Sequence, residues 1–158
     1  MPSLRRPRGA VTTRVVLNID AGTDAGRTKA FCYGARECLD GARILNSSSP
    51  YSTGEYILTF HALELALKAF LAKSGMSNDE LRGRHFRHSL DNFHEEALRR
   101  DLSISTYKAT ELIESVNEWH EKALVRYEFT KNRELPMCDC LFPLIEEILT
   151  ASRHQSKD

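Results

Sequence analysis

The 158-residue chain has the length of one ordinary domain, and its 22 basic and 22 acidic side chains balance, so net charge does not favour a polyanion as partner. A hydrophobic content of 41% excludes a largely disordered chain. Its mean hydropathy of −0.42 excludes a membrane protein. The four cysteines match neither a disulfide framework nor a zinc ribbon, so we expect reduced thiols and a cytoplasmic protein.

The first 27 residues are predicted to form a flexible arm. They contain two prolines, several arginines and the stretch NIDAGTDAG, which supports no helix. The segment VTTRVVLNI has strand propensity but no partner strand. From Thr28 to Leu45 apolar residues recur with helical spacing, and NSSSP then predicts the end of this first helix.

The second predicted helix, at 54–73, is apolar almost all round, which is typical of a central helix covered by its neighbours on most sides. Gly75 is expected to cap its C-terminus. The polar connection SNDELRGRHFRHS follows, and His88 or Ser89 is expected to begin a third helix.

A fourth helix is predicted after Ser105 or Thr106, either of which is a suitable N-terminal cap. The segment VRYEFTKNRELP breaks the helical period, and a last helix begins near Asp139. We find no repeats and no convincing sheet. The sequence therefore predicts an all-α single helical bundle of about five helices over 28–153, followed by a solvent-exposed tail at 154–158.

Three polar side chains form a narrow stripe on the second helix. His61, Glu64 and Lys68 lie within about 60° of one another around a helix axis. Arg126 and Tyr127, from a later segment, could supply a cation and a hydroxyl for Glu64. The set is either a polar tie that clamps the later segment to the central helix, or the floor of a pocket where Lys68 and Arg126 bind a phosphate or carboxylate.

A basic cluster occupies the connection before the third helix. It comprises Arg82, Arg84, His85, Arg87 and His88. Such a run can contact a nucleic-acid backbone, and Phe86 within it could stack on a base. The alternative is an ordinary solvated connection, because nearby acidic residues dilute the charge.

No metal-binding or nucleophile motif is recognisable. His85 and His88, even with His94 or Glu95, lack the helical spacing of a metal-binding motif, so we expect no metal. A cysteine nucleophile would need a base that the sequence does not place, and there is no glycine-rich phosphate loop. We therefore expect no cofactor.

Four stretches of the chain resemble the HEPN superfamily, small helical bundles of higher eukaryotes and prokaryotes with proposed nucleotide binding. They are YSTGEYILTFHALELALKAFLAKSG, RHSLDNFHEEALRRDL, LVRYEF and RELP. The strongest part is HALELALKAF followed by the helix start His88-Ser89-Leu90. The resemblance implies a homodimer whose central helices face one another, and a ligand that is a nucleotide, RNA or a protein such as a nucleotidyltransferase-type partner.

Nuclease members of this superfamily cut RNA without metal, using an arginine and a histidine separated by four to six residues. Arg82 and His88 have this spacing, as do Arg87 and His94, but the segment after Arg126, where the pair usually lies, has no histidine at that distance. We therefore expect first a dimeric binding module without catalysis. The alternatives are a metal-independent endoribonuclease of toxin or defence type that uses Arg82 and His88, and a structural or antitoxin-like partner subunit.

Overall fold

The computed structural model describes residues 22–127 and 134–153, and every regular element within these ranges is a helix. The elements are α1 (Asp24–Ser48), α2 (Thr53–Lys73), α3 (Asn78–Leu81), α4 (Leu90–Arg99), α5 (Ala109–Glu121), α6 (Leu124–Tyr127) and α7 (Phe142–Ser152), with a 3-10 turn at Cys138–Cys140. The all-α class is confirmed for these residues. None of their helices combines the length and apolarity needed to cross a membrane. The segment VTTRVVLNI and the tail lie outside the described residues.

The helices described number seven rather than about five, because two four-residue helices, α3 and α6, form within the connections. α3 begins with a complete capping box, in which Ser77 and Glu80 satisfy each other's backbone N–H groups. This device explains how a short polar segment becomes helical.

Helix α1 begins at Asp24, not at Thr28 as predicted. The Thr23 hydroxyl accepts a hydrogen bond from the N–H of Gly26 at 3.0 Å, and this cap offsets the poor helix propensity of the glycine. Four residues of the predicted arm are therefore helical. The helix also continues to Ser48, so part of NSSSP belongs to its last turn.

Helix α2 is the centre of the bundle and packs against α1, α4, α5, α6 and α7. Of its 21 residues 13 are buried, which confirms the prediction of a helix covered on most sides. The helix ends at Lys73, and Gly75 follows as the predicted C-terminal glycine, with a φ of 97° that is accessible to glycine. The N–H of Met76 then donates to the carbonyl of Leu71 at 3.0 Å.

Helices α1 and α2 form a tight antiparallel hairpin. A Cβ atom added at Gly41 would lie 3.0 Å from Leu58 Cδ1, and one added at Gly34 would lie 3.1 Å from Leu65 Cδ1. The two glycines therefore let the leucines of α2 approach the backbone of α1 closely. The hairpin fixes the orientation of α2, on which the candidate site is built.

The third predicted helix is α4, and Ser89 caps it as predicted by accepting a hydrogen bond from the N–H of Asn92 at 3.3 Å. The fourth predicted helix is α5, and the prediction that Ser105 or Thr106 caps it is wrong. Helix α5 begins later, after Lys108. Both hydroxyls and both N–H groups of Ser105 and Thr106 donate instead to the carboxylate of Glu147 on α7. The last helix, α7, begins at Phe142 and not near Asp139 as predicted, because Asp139 lies in the 3-10 turn that precedes it.

Candidate functional site

The candidate site is centred on the carboxylate of Glu64 on α2, which is only 1% exposed. Lys68, one turn further along α2, donates to its Oε1 atom. His88 Nδ1 lies 3.2 Å from its Oε2 atom, and His120 Nε2 makes a second hydrogen bond to that same oxygen. We call these four residues the Glu64 cluster.

Three separate segments bring the Glu64 cluster together. His88 directly precedes Ser89, whose capping bond fixes the start of α4 and with it the backbone of His88. His120 lies in the last turn of α5, four residues after the buried Val116. The cluster thus connects α5 and the connection before α4 to the central helix.

The neighbours of Glu64 keep it ionised. Burial opposes ionisation, but the hydrogen bond with His120 and the charge of Lys68 outweigh burial and hold the pKa of Glu64 well below its usual range. The ammonium of Lys68 also lies 5.3 Å from the centre of the Phe93 ring, over its face. The Glu64 cluster therefore contains a carboxylate anion at neutral pH, with the Lys68 ammonium held beside it.

The other members of the predicted stripe lie around this cluster. His61 is half-buried, and burial lowers its pKa despite the attraction of Glu64. Arg126 is exposed and lines a cavity of about 10 Å³ with Phe60 and His120, just large enough for one water. Among the described contacts none joins Arg126 to Glu64, whose partners are the lysine and the two histidines. The Tyr127 side chain lies outside the described residues.

The basic cluster is entirely exposed. Among the described residues its three arginines, at positions 82, 84 and 87, have no carboxylate within ion-pair distance. Five other arginines each have one: Arg27, Arg36, Arg43, Arg99 and Arg100. The connection therefore presents three guanidinium groups that are open to an external anion.

The prediction that Phe86 stacks on a base is wrong, because this side chain is only 8% exposed. Its ring stacks on that of Phe93, with centroids 5.1 Å apart and planes inclined by 12°. The Nδ2 atom of Asn92 donates to the carbonyl of His85 at 2.6 Å. Phe86 is thus the apolar anchor that fixes the basic cluster to the bundle.

The two arginine–histidine pairs with nuclease-like spacing have different surroundings. His88 contacts Glu64, its side chain is 67% exposed, and no described contact joins it to Arg82. His94, in contrast, is 3% exposed. Burial lowers its pKa against the attraction of Glu114 and Glu95. Of the two histidines only His88 is open to a ligand.

His120 was not among the residues predicted from the sequence, although the sequence contains a signal for it. Its position falls seven residues after Ile113 and four after Val116, both fully buried, so it continues the apolar stripe of α5. A histidine on such a stripe needs a polar partner inside the bundle. That partner is Glu64, the only acidic residue in the polar stripe predicted on the second helix.

The buried cysteine is not a nucleophile. Burial, which outweighs the hydrogen bond with Thr59, raises the pKa of Cys138 to about 12. At neutral pH this thiol is protonated.

No protein-family model, curated protein or solved structure matches this chain. The interpretation of the site therefore rests on its own geometry.

Proposed function

We propose that the chain is a HEPN-like helical module that binds RNA through the basic cluster and acts as a homodimer. The observation that carries this proposal is the set of three exposed arginines, at 82, 84 and 87, that lack a carboxylate partner among the described residues. Phosphate oxygens would neutralise these guanidinium groups and release bound counterions. Because Phe86 and Asn92 hold the connection against the bundle, little ordering of the loop is needed on binding.

Fluorescence anisotropy with a labelled, mixed-sequence single-stranded RNA tests RNA binding. We expect affinity to fall as salt rises, with a slope of about −0.7 for each phosphate contact. Replacing Arg82, Arg84 and Arg87 together by glutamine should weaken binding at least tenfold and flatten the slope by about 2. The control is Arg99→Gln, an exposed arginine already paired with Glu95. No RNA binding by the wild type, or an equal loss in the control, would refute the proposal.

The homodimer, which the family resemblance suggests, has its own test. Light scattering after size-exclusion chromatography should give about twice the mass of the 18.0 kDa chain. A mass of one chain at all concentrations would remove the dimer from the proposal without affecting RNA binding.

A second candidate function is metal-independent RNA cleavage, and the contact between His88 and Glu64 favours it. The carboxylate holds Nδ1 of His88, and the ring is largely exposed, so Nε2 is available to move a proton on a bound ribose or phosphate. Arg82 would stabilise the developing charge. Incubation of labelled RNA in EDTA with wild type and with the Arg82→Ala/His88→Ala variant tests this. Cleavage by the wild type alone supports a nuclease, and equal or absent cleavage leaves binding alone.

A further inference from the structure

The Glu64 cluster contains a set of three metal-donor atoms. Glu64 Oε2, His88 Nδ1 and His120 Nε2 all lie within 4.8 Å of one another. Two imidazoles and one carboxylate are the protein ligands of open zinc sites, in which a fourth position remains for water or substrate. We propose that these three residues bind a divalent transition-metal ion, Zn²⁺ foremost. This inference goes beyond RNA binding and does not depend on it.

The burial of the donors favours a metal over an ordinary surface cluster. The side chains of Glu64 and His120 are 2% and 10% exposed, so both donors are fixed by packing from α2 and α5. The Oε2 atom of Glu64 and the two imidazole nitrogens already lie within 4.8 Å of one another, close enough to share one ion after a small adjustment. Ligand atoms about 2.1 Å from a tetrahedral ion lie about 3.4 Å apart. The 3.2 Å between His88 Nδ1 and Glu64 Oε2 is already close to this separation. The His120 nitrogen, in direct contact with the same oxygen, would have to withdraw by about 1 Å to admit the ion.

Lys68 does not block this site. Its ammonium bonds to Oε1, whereas both histidines approach Oε2, so the two carboxylate oxygens have separate roles. The Lys68 ammonium also lies over the Phe93 ring, 5.3 Å from its centroid, so it has a second favourable contact besides Oε1. With a metal at Oε2, Lys68 becomes an outer partner that orients the ligand.

The donor set also determines the class of ion. Imidazole nitrogens suit Zn²⁺ and its neighbours in the transition series, whereas Mg²⁺ and Ca²⁺ prefer all-oxygen sites. The exposure of the His88 ring, at 67%, leaves one side of the site open to solvent. A bound ion would then hold the end of the basic cluster to α2 and α5.

Metal binding by the EDTA-treated and dialysed full-length chain tests this inference. Zn²⁺ is titrated against a chromophoric zinc indicator, Mg²⁺ serves as the comparison ion, and Co²⁺ is followed by its visible absorption. We expect one Zn²⁺ per chain, no competition by Mg²⁺, and Co²⁺ bands of the intensity typical of a four-coordinate site. His88→Gln and His120→Gln should each weaken Zn²⁺ binding at least tenfold. The matched control, His85→Gln, changes an exposed histidine of the same connection that is outside the donor set and should bind Zn²⁺ like the wild type.

Three results would overturn the inference: no Zn²⁺ binding by the wild type, binding unchanged in His88→Gln, or an equal loss in His85→Gln. Circular dichroism of each variant checks the fold. If His120→Gln unfolds, the exposed His88 still decides the question. No RNA is used, so the outcome is independent of the RNA-binding proposal.

Discussion

Replacing Glu64 by alanine is the most direct test of how the central helix is held. The substitution removes the only carboxylate with which Lys68 and His120 interact among the described residues. The Lys68 and His120 side chains are 18% and 10% exposed, so both polar groups lose a partner in places where water replaces it poorly.

The expected loss of stability follows from these exposures. Removing one partner of a fully buried ion pair costs about 3–5 kcal/mol. Here the Lys68 ammonium can turn partly to solvent, and His88, at 67% exposed, loses little. We therefore expect Glu64→Ala to lower the free energy of unfolding by about 2–4 kcal/mol. In thermal unfolding this corresponds to a fall in Tm of roughly 4–16 °C.

Urea denaturation followed by circular dichroism measures the change. The matched control is Glu146→Ala on α7, which removes a carboxylate paired with Arg36 and Arg43, at an ion pair that is about one-third exposed. We expect a loss below about 1 kcal/mol there. In the double variant Glu64→Ala/Lys68→Met the loss should be smaller than the sum of the two single losses, because the lysine no longer lacks a partner.

A loss below about 0.5 kcal/mol for Glu64→Ala, or one no larger than for the control, would contradict a stabilising role for the Glu64 cluster. It would mean that water reaches Lys68 and His120 as soon as the carboxylate is removed. The Glu64 cluster would then be a solvated surface group and not a connection between helices.

Three further predictions concern single side chains. Burial holds the pKa of His94 below 6.5, so the unfolded chain binds a proton at this imidazole more strongly than the folded chain does. The free energy of unfolding should therefore fall as pH drops below about 6.5. His94→Gln should flatten this pH dependence in urea titrations at several pH values. Ser89→Ala should cost about 1 kcal/mol in the same assay through loss of the α4 cap, and an unchanged midpoint would contradict that role. In the native protein, exposed Cys140 should react with iodoacetamide at least about tenfold faster than buried Cys138, as measured by mass spectrometry, and equal rates would show that the 3-10 turn opens readily.

The helices themselves were accessible from the sequence because their signals are local. Apolar spacing and a serine cap predicted α2 and the start of α4, and both are present. The start of α5 was placed wrongly because Ser105 and Thr106 donate to Glu147, which is 41 residues or more away in the chain. A cap residue can be recognised locally, but a distant competitor for its hydroxyl cannot.

The candidate site was only partly accessible for the same reason. The burial pattern identified Glu64 and Lys68 as polar groups that need partners. Their partners come from two later segments, and the choice of His88 and His120 over Arg126 depends on how α5 crosses α2. Spacing within one segment carries no information about that crossing.

The hairpin of α1 and α2 has a consequence for the order of folding. These helices are adjacent in the chain and are joined by the short turn at 49–52, so the entropy lost in bringing them together is small. We therefore expect the hairpin to form early and the Glu64 cluster late, since His120 lies 56 residues from Glu64. His120→Gln should therefore mainly accelerate unfolding and leave the refolding rate nearly unchanged, as stopped-flow circular dichroism would measure.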